Sequence, residues 1–240
     1  MSAPATPLQN HLLAALPGAV YERLLPDLEL VAMELGAIIY TAGSEQAYLY
    51  FPTTCIVSLV YVMANGASAE IAVTGFEGLV GIALILGGQT TPNQAVVQSA
   101  GHAYRIRAKA IKVEFDQGGR LQHLLLLYTQ ALTSQMAQTA VCNRHHSLDQ
   151  QLCRWLLLSL DRLGSGELTM TQELIANMLG VRRQGVVEAA AKLQRAGLIN
   201  YRRGHISVLD RSGLEARVCE CYSVVKREYD RLLPEADAES

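Results

Sequence analysis

The feature that most constrains the fold is a long stretch, residues 120–146, that contains neither glycine nor proline. Such a stretch predicts one continuous helix, which at a rise of about 1.5 Å per residue would be about 40 Å long. A helix of this length extends beyond what a small β domain can cover, so we expect its apolar seam to face the same helix of a second chain. A buried core helix is the alternative. The seam consists of Leu121, Leu125, Tyr128, Leu132 and Gln135.

The chain before this helix is rich in short apolar runs separated by turns. Residues 8–25 predict a short helical lead-in, and the Asn65-Gly66 pair between two apolar runs is typical of a β-hairpin. Many short runs at this spacing predict a closed or sandwiched antiparallel β domain. The predicted strands are Glu34–Tyr40, Ala47–Phe51, Ile56–Met63, Ala69–Val73, Ala95–Ser99 and Ala103–Arg107.

The chain after the long helix has the pattern of a helix-turn-helix with a wing. A helix is predicted over residues 148–163, with glycines at 164 and 166 to end it. The segment from Thr171 to Gly180 predicts a second helix with a threonine N-cap and a glycine stop. A further amphipathic helix follows after a short turn and runs to Ala196, which completes a helix-turn-helix. Residues 198–208 then predict two strands around a basic turn, and this pair forms the wing.

The start of the second helix of this unit carries side chains suited to DNA. Arginine can donate two hydrogen bonds to guanine, and glutamine can make two with adenine, so Arg182, Arg183 and Gln184 are candidate base-reading residues. Cations on the wing are suited to the sugar-phosphate backbone. The predicted DNA-binding set is completed by Glu188 on the same helix, Thr171 at the start of the preceding helix, and Arg202, Arg203 and His205 on the wing.

The distribution of charge agrees with one polyanion-binding module. The whole chain has a formal net charge of -2, yet the segment from Thr169 to Arg211 carries seven Lys and Arg residues against three acidic residues. A basic segment within an acidic chain is the pattern expected when a single domain binds nucleic acid.

Residues 171–199 resemble the C-terminal domain of the Crp/Fnr family of transcription regulators. The sequence TQELIANMLG matches the family pattern T-Q-E-x-[LI]-A-x-x-[LV]-G, and LQRAGLI matches its L-x-x-x-G-L-I turn into the wing. The resemblance implies an α+β chain with three parts. These are an N-terminal antiparallel β-barrel of jelly-roll, cyclic-nucleotide-binding-like type (residues 1–118), a dimerisation helix (119–146), and a winged helix-turn-helix with an extra C-terminal helix (147–240). It also implies a homodimer that contacts RNA polymerase and binds an inverted repeat with half-sites about one helical turn apart.

Three positions depart from the family pattern in the recognition helix. Arg182 stands where serine is usual as the N-cap, so a cap is lost and a cation is gained. Gln184 and Glu188 stand where relatives often carry Glu and Arg, while Arg183 keeps the family arginine. Because glutamate accepts from cytosine and cannot read guanine, we expect a different operator sequence.

The N-terminal domain lacks the residues that hold a cyclic phosphate in the family. Glu77 and Gly78 loosely match the family's first phosphate-site segment, and Asn93 and Gln94 replace its Arg-Ser pair. A buried phosphate charge needs a charge-assisted partner, which the guanidinium group usually supplies. These four residues are candidates for an effector pocket whose ligand is unknown, and we expect it not to be cAMP or cGMP.

No metal or cofactor is expected from the sequence. The N-terminal region offers only Cys55, whereas an iron–sulfur cluster needs about four cysteines. Cys219 and Cys221 are predicted on one helix, where side chains two residues apart diverge, so we interpret them as small buried residues. Haem ligation by His102 or His123 stays open. His146 belongs to a His pair at a predicted hinge, where a response to pH or metal is the alternative to simple solvation.

Other function classes find little support in the sequence. A cupin-type enzyme needs a metal triad, and residues 28–107 contain only His102, so we expect no enzymatic activity. The chain lacks a signal-peptide pattern and an apolar run of about 18 residues, which predicts a cytoplasmic protein with no membrane segment. Two alternatives remain. One is a constitutive or partner-regulated DNA-binding protein with a vestigial sensor pocket, and the other is a small-molecule-binding module that acts through protein partners. The position of the predicted helix over residues 213–233 stays undecided.

Overall fold

The computed structural model describes residues 6–163 and 167–233 and shows a mixed α and β architecture. The predicted glycine stop at residues 164–166 lies outside the described residues. The N-terminal domain begins with two short helices, α1 (His11–Ala14) and α2 (Gly18–Leu24), which confirm the helical lead-in. Seven strands follow. They are β1 (Glu29–Met33), β2 (Ile38–Tyr40), β3 (Tyr48–Pro52), β4 (Ile56–Val62), β5 (Ser68–Thr74), β6 (Gln94–Ser99) and β7 (Gly101–Arg107).

These strands form two antiparallel sheets that share one hydrophobic core. The first sheet has the order β1-β7-β3, and the second has the order β2-β6-β4-β5. The predicted strand Glu34–Tyr40 is confirmed only over Ile38–Tyr40, which is β2. The chain turns before it at Gly36, whose φ of 78° lies in the left-handed region, and the turn separates β1 from β2. The predicted Asn65-Gly66 turn does join β4 and β5, with Gly66 at a φ of 83°.

The long helix is present as α4 (Arg120–His145), which follows a shorter helix, α3 (Ala108–Asp116). Its predicted seam, however, is buried within the same chain. The Tyr128 hydroxyl donates to the Leu79 carbonyl (2.7 Å), and the Gln135 amide contacts both Val73 and Tyr229. The assignment of this seam to a dimer contact was therefore wrong, because apolar spacing marks a buried face without saying what covers it.

The C-terminal region contains the predicted helix-turn-helix. It consists of α5 (Leu148–Leu160), β8 (Glu167–Thr169), α6 (Gln172–Leu179), α7 (Arg183–Arg195), β9 (Ile199–Arg202), β10 (His205–Val208), α8 (Arg211–Arg217) and α9 (Glu220–Leu232). The wing has three strands in the order β8-β10-β9, of which the sequence predicted only the last two. The single helix predicted over residues 213–233 is two helices, α8 and α9, because Val218 and Cys219 have extended backbone.

The C-terminal region packs against the N-terminal domain through α5, α6 and α9. The Gln98 amide on β6 donates to Ser159 on α5 (2.8 Å), and the Ser68 hydroxyl on β5 donates to the Asn177 carbonyl on α6 (3.2 Å). Helix α9 lies along α4 and also contacts α5. The two regions therefore share an extensive internal interface. In the part of the chain that the structure describes, helices long and apolar enough to span a membrane are absent.

Candidate nucleic-acid interface

Local capping fixes the ends of the two helices of the helix-turn-helix. The Thr171 hydroxyl accepts from the Leu174 backbone N–H (3.2 Å), which caps α6 as predicted. Helix α6 ends at Gly180, whose φ of 66° is the left-handed conformation that favours glycine at a helix C-terminus. Buried Val186 and Leu193 attach α7 to the core of the domain. The turn therefore sets the angle at which α7 leaves α6.

The outward face at the start of α7 is polar and exposed. Arg182, Arg183, Gln184 and Glu188 are all exposed there. Arg182 occupies the N-cap position and makes no capping hydrogen bond with any described residue, so the first backbone N–H groups of α7 remain available to a phosphate. The structure thus brings together the four predicted base-reading residues at the exposed start of one helix.

Gln184 and Glu188 contact each other, and Arg183 lies close to a side chain of α6. The Gln184 amide donates to the Glu188 carboxylate (3.0 Å), and the Arg183 guanidinium lies 3.9 Å from the Glu173 carboxylate. All four side chains are exposed, so these contacts contribute little to stability and can be exchanged for contacts with bases. The Gln184 contact also orients the carboxylate of Glu188, the acceptor that suits the cytosine amino group.

The wing ends in a tight turn that places a cation at its tip. Arg203 and Gly204 have φ values of 52° and 83°, and two successive left-handed residues are typical of a two-residue hairpin loop. Arg202 and Arg203 are exposed at this turn. His205 lies opposite Thr169 of β8, and its Nδ1 is 3.3 Å from the threonine hydroxyl. The wing residues are therefore held on a three-stranded sheet rather than on a free hairpin.

A groove of about 360 Å³ separates the wing from the starts of α6 and α7. It brings together three predicted residues, Thr171, Arg183 and Arg203, and adds two that the sequence analysis missed, Gln172 and Tyr201. The Tyr201 hydroxyl donates to the Met170 carbonyl (2.7 Å), which attaches the wing to the strand before α6, and burial raises the pKa of Tyr201 to about 12. Tyr201 could have been noticed as the aromatic residue just before the basic turn.

Solved structures of regulators have the same fold as this chain. FixK2 from Bradyrhizobium japonicum is 15% identical with a TM-score of 0.69, and the match covers 80% of this chain and 98% of that chain. A transcriptional regulator assigned to the Crp/Fnr family from Eubacterium rectale is 19% identical with a TM-score of 0.66, covering 85% and 96%. A CRP-family transcriptional regulator from Thermus thermophilus is 20% identical with a TM-score of 0.64, covering 87% and 100%. No curated protein matches the sequence.

The decisive similarity lies in the helix-turn-helix region. Residues 150–217 match the family model described as a Crp-like helix-turn-helix domain. The C-terminal region contains a Crp-like helix-turn-helix domain. The matched residues run from α5 through α8 and therefore include the recognition helix, the wing and the groove between them.

Outside this interface, Glu77 and Gly78 contact residues that lie beyond the N-terminal domain. The Glu77 carboxylate accepts from the Arg162 guanidinium (2.6 Å), and it lines a cavity of about 230 Å³ between the N-terminal domain, α5 and α9. A Cβ at Gly78 would lie 2.4 Å from the Tyr128 ring of α4, so only glycine fits there without a shift. These two residues therefore join the predicted sensor domain to the rest of the chain.

The other two effector candidates lie at the start of β6. Asn93 is buried and accepts from the Tyr40 hydroxyl (3.2 Å), while Gln94 opens the strand beside it. Asn93 thus contacts β2 and Gln94 pairs with Val60 of β4, whereas Glu77 and Gly78 reach Arg162 and Tyr128. The idea that all four residues form one effector pocket stays a prediction.

The wing of this Crp-like helix-turn-helix domain provides a test of backbone contact. Replacing Arg203 with asparagine keeps a residue that tolerates positive φ and removes the charge. We expect DNA affinity to fall for specific and random duplexes alike. The plot of the logarithm of the association constant against the logarithm of the salt concentration should become less steep by about 1 per chain bound. Fluorescence anisotropy over a range of salt concentrations measures both quantities. Lys112→Asn on α3, another exposed cation, is the matched control, and an equal change in that variant would contradict the assignment.

Proposed function

We propose that this protein is a homodimeric, sequence-specific transcription regulator that binds an inverted-repeat operator under the control of its N-terminal domain. The observation that carries the proposal is the exposed start of α7, where Arg182, Arg183 and Gln184 lie beside the cationic wing. A helix N-terminus with two guanidinium groups and an amide fits the major groove, and the wing fits the flanking backbone.

The exposed face of α4 supports the dimer. Exposed side chains run along this face from His123 to Arg144, and Leu126, Ala137 and Ala140 among them are apolar. Leu126 is 49% exposed and Val141 is 48% exposed, and both are apolar. The proposed dimer stripe consists of His123, Leu126, Gln130, Thr133, Ala137, Ala140 and Arg144. This stripe lies on the opposite side of α4 from the buried seam.

The internal interface supports control by the N-terminal domain. The DNA-binding region is attached to that domain by the buried Glu77–Arg162 ion pair and by the contacts of β5 with α6. A ligand that favours one arrangement of this interface would change the spacing of the two recognition helices, and hence the affinity for the operator. Glu77, Gly78, Asn93 and Gln94 remain the proposed effector residues, with a ligand other than cAMP or cGMP. RNA polymerase is the proposed protein partner in transcription.

Selection of bound DNA from a random duplex library tests the proposal. The wild-type protein, tested with and without cell extract, is expected to enrich an inverted repeat. Arg183→Ala is expected to lose or relax one position in each half-site and to bind the selected site at least about 10-fold more weakly, because a two-bond arginine–guanine contact contributes about 1–3 kcal/mol.

Arg195→Ala is the matched control, since Arg195 is an exposed cation in the last turn of the same helix. It should select the same sequence as the wild type. Binding that is salt-sensitive but without sequence preference in every condition would contradict the proposed function. A single asymmetric half-site would contradict the dimer while leaving DNA recognition intact.

A further inference from the structure

Four potential metal ligands converge where α4 meets α9. Cys142 lies in the last turn of α4 and His146 caps that helix, while Cys219 and Cys221 lie at the start of α9. The three thiol sulfurs and one imidazole nitrogen all lie within 4.8 Å of one another. None of these residues takes part in the DNA interface or in the predicted effector pocket.

The distances fit tetrahedral coordination. The Cys142 and Cys219 sulfurs are 3.6 Å apart, and the Cys221 sulfur is 3.4 Å from Nδ1 of His146. A zinc ion with Zn–S bonds of about 2.3 Å and Zn–N bonds of about 2.0 Å would separate two sulfurs by roughly 3.8 Å, and a sulfur and a nitrogen by roughly 3.5 Å. A disulfide would instead need about 2.05 Å between the sulfurs.

The local backbone explains how residues two apart in sequence can face one point. Cys219 is the N-cap of α9 and has an extended backbone with ψ of 163°, whereas Cys221 is already helical. The expectation that these two side chains diverge was therefore wrong, because it assumed that both lie within a helix. Cys142 and His146 are four residues apart at the end of α4, a spacing that places both on one face.

The surroundings of the cluster match those of known metal centres. The Gln138 amide donates to the Cys221 sulfur (3.1 Å), and Nε2 of His146 lies 3.4 Å from the Glu220 carboxylate. A carboxylate on the far nitrogen of a ligating histidine orients the ring and raises its basicity. Cys142, Cys219 and Cys221 are at most 3% exposed, so water competes little for the ligand atoms.

Charge balance also favours a bound cation. Three thiolates and one divalent ion leave a net charge of about -1. The guanidinium of buried Arg154 lies near Cys142, and its Nε lacks a hydrogen-bond partner among the described residues. Arg154 can therefore offset the remaining negative charge inside the protein.

We infer that Cys142, His146, Cys219 and Cys221 form a binding site for a thiophilic divalent cation of the zinc class. Sulfur and imidazole ligands select this class over Mg²⁺ and Ca²⁺, which prefer oxygen. The bound ion joins the end of α4 to the start of α9 and holds the junction between α4 and α5, which connects the N-terminal domain to the DNA-binding region. The site does not depend on the proposed function, since it is defined by its ligands alone.

Titration of the reduced full-length chain with Co²⁺ tests this site. We expect one equivalent per chain, with thiolate-to-cobalt charge-transfer absorption and the intense visible bands of tetrahedral cobalt, both lost on addition of Zn²⁺. Native mass spectrometry should show one zinc per chain. The Cys219→Ser/Cys221→Ser double variant should bind at least about 100-fold more weakly. Cys55→Ser and Cys153→Ser, which replace buried cysteines outside the cluster, should bind like the wild type.

A milder variant keeps the test valid if the double variant does not fold. The Glu220 side chain is 72% exposed, so Glu220→Gln leaves the fold intact while removing the carboxylate from His146. We expect it to bind cobalt about 10- to 100-fold more weakly. The inference is overturned if the reduced chain gives no thiolate-to-cobalt absorption, if the serine variant binds as tightly as the wild type, or if Cys142 and Cys219 form a disulfide and the reduced protein retains no metal.

Discussion

Replacing Arg162 with methionine is expected to lower the free energy of unfolding by about 3 kcal/mol. The Arg162 guanidinium donates to Glu77 (2.6 Å) and to the Leu158 carbonyl (2.8 Å), and it lies 5.5 Å from the centre of the Tyr229 ring. Its side chain is only 6% exposed and that of Glu77 only 16%. Removing one partner of a buried pair leaves the other charge in a poorly solvated place, which costs about 3–5 kcal/mol. The low end applies here because Glu77 keeps some contact with water.

A double-mutant cycle separates this charge effect from lost packing. Glu77→Gln in the Arg162→Met background should restore part of the lost stability, because the unpaired carboxylate is then absent. Arg227→Met, which removes an exposed cation on α9, is the matched control and should change stability by less than about 0.5 kcal/mol. Urea unfolding of the wild type, Arg162→Met, Glu77→Gln and the double variant gives the coupling energy, and Arg227→Met is measured alongside. A coupling energy near zero between residues 77 and 162 would show that the pair contributes nothing.

The Glu77–Arg162 ion pair also lies in the interface through which we propose that the N-terminal domain controls DNA binding. Arg162 follows α5 of the DNA-binding region, Glu77 belongs to the N-terminal domain, and Tyr229 belongs to α9. The Tyr229 hydroxyl accepts from Gln135 of α4 (2.8 Å), so four parts of the molecule meet around one guanidinium group. Arg162→Met should therefore loosen the attachment of the DNA-binding region, and any effector dependence of DNA binding should weaken with it.

The parts of the fold that the sequence predicted well are those fixed by local interactions. The absence of glycine and proline over residues 120–146 predicted α4 almost to its ends. The Thr171 cap, the Gly180 stop and the turn at Arg203 each depend on residues within a few positions in the chain. Part of the recognition surface followed directly, because the spacing of four residues places Gln184 and Glu188 on one side of α7.

The parts that the sequence missed depend on contacts between distant segments. Strand β8 is only three residues long, and it is a strand because β10 pairs with it. The seam of α4 is covered by β5 and α9 rather than by a second chain, and periodicity alone cannot distinguish these partners. The cysteine cluster combines residues about 75 positions apart. It also depends on the extended backbone between α8 and α9, which the sequence pattern did not predict.

A buried carboxylate between the N-terminal domain and α5 also escaped the sequence analysis. The Glu70 carboxylate lies 2.5 Å from the Ser58 hydroxyl, which lies 2.7 Å from the Gln98 side-chain oxygen. The Gln98 amide nitrogen donates to Ser159 of α5, so its oxygen must accept from Ser58. The Ser58 hydroxyl has one proton and cannot donate to both oxygens at once, and a protonated Glu70 that donates to Ser58 would satisfy both contacts. Burial agrees with this assignment and raises the pKa of Glu70 to about 7, although Ser58, Arg154 and Arg162 act in the opposite direction.

This raised pKa predicts that the protein loses stability as the pH rises from about 4.5 to about 7. The usual pKa of 4.5 applies to Glu70 in the unfolded chain. Between the two values the folded state binds more protons than the unfolded state, so the free energy of unfolding decreases as the pH rises, and it levels off above about 7. The full contribution is about 3 kcal/mol, since each pKa unit corresponds to about 1.4 kcal/mol.

Glu70→Gln is therefore expected to raise the free energy of unfolding by about 2 kcal/mol at pH 8 and to leave it nearly unchanged at pH 5. The glutamine amide can donate to Ser58 as the protonated acid does, and it never becomes charged. Urea unfolding at both pH values measures the difference, with Glu45→Gln as the matched control because Glu45 is exposed. Equal effects of Glu70→Gln at pH 5 and pH 8 would show that Glu70 does not change its protonation on folding. Destabilisation at pH 8 would show instead that Arg154 and Arg162 hold Glu70 as a carboxylate at the interface between the two regions.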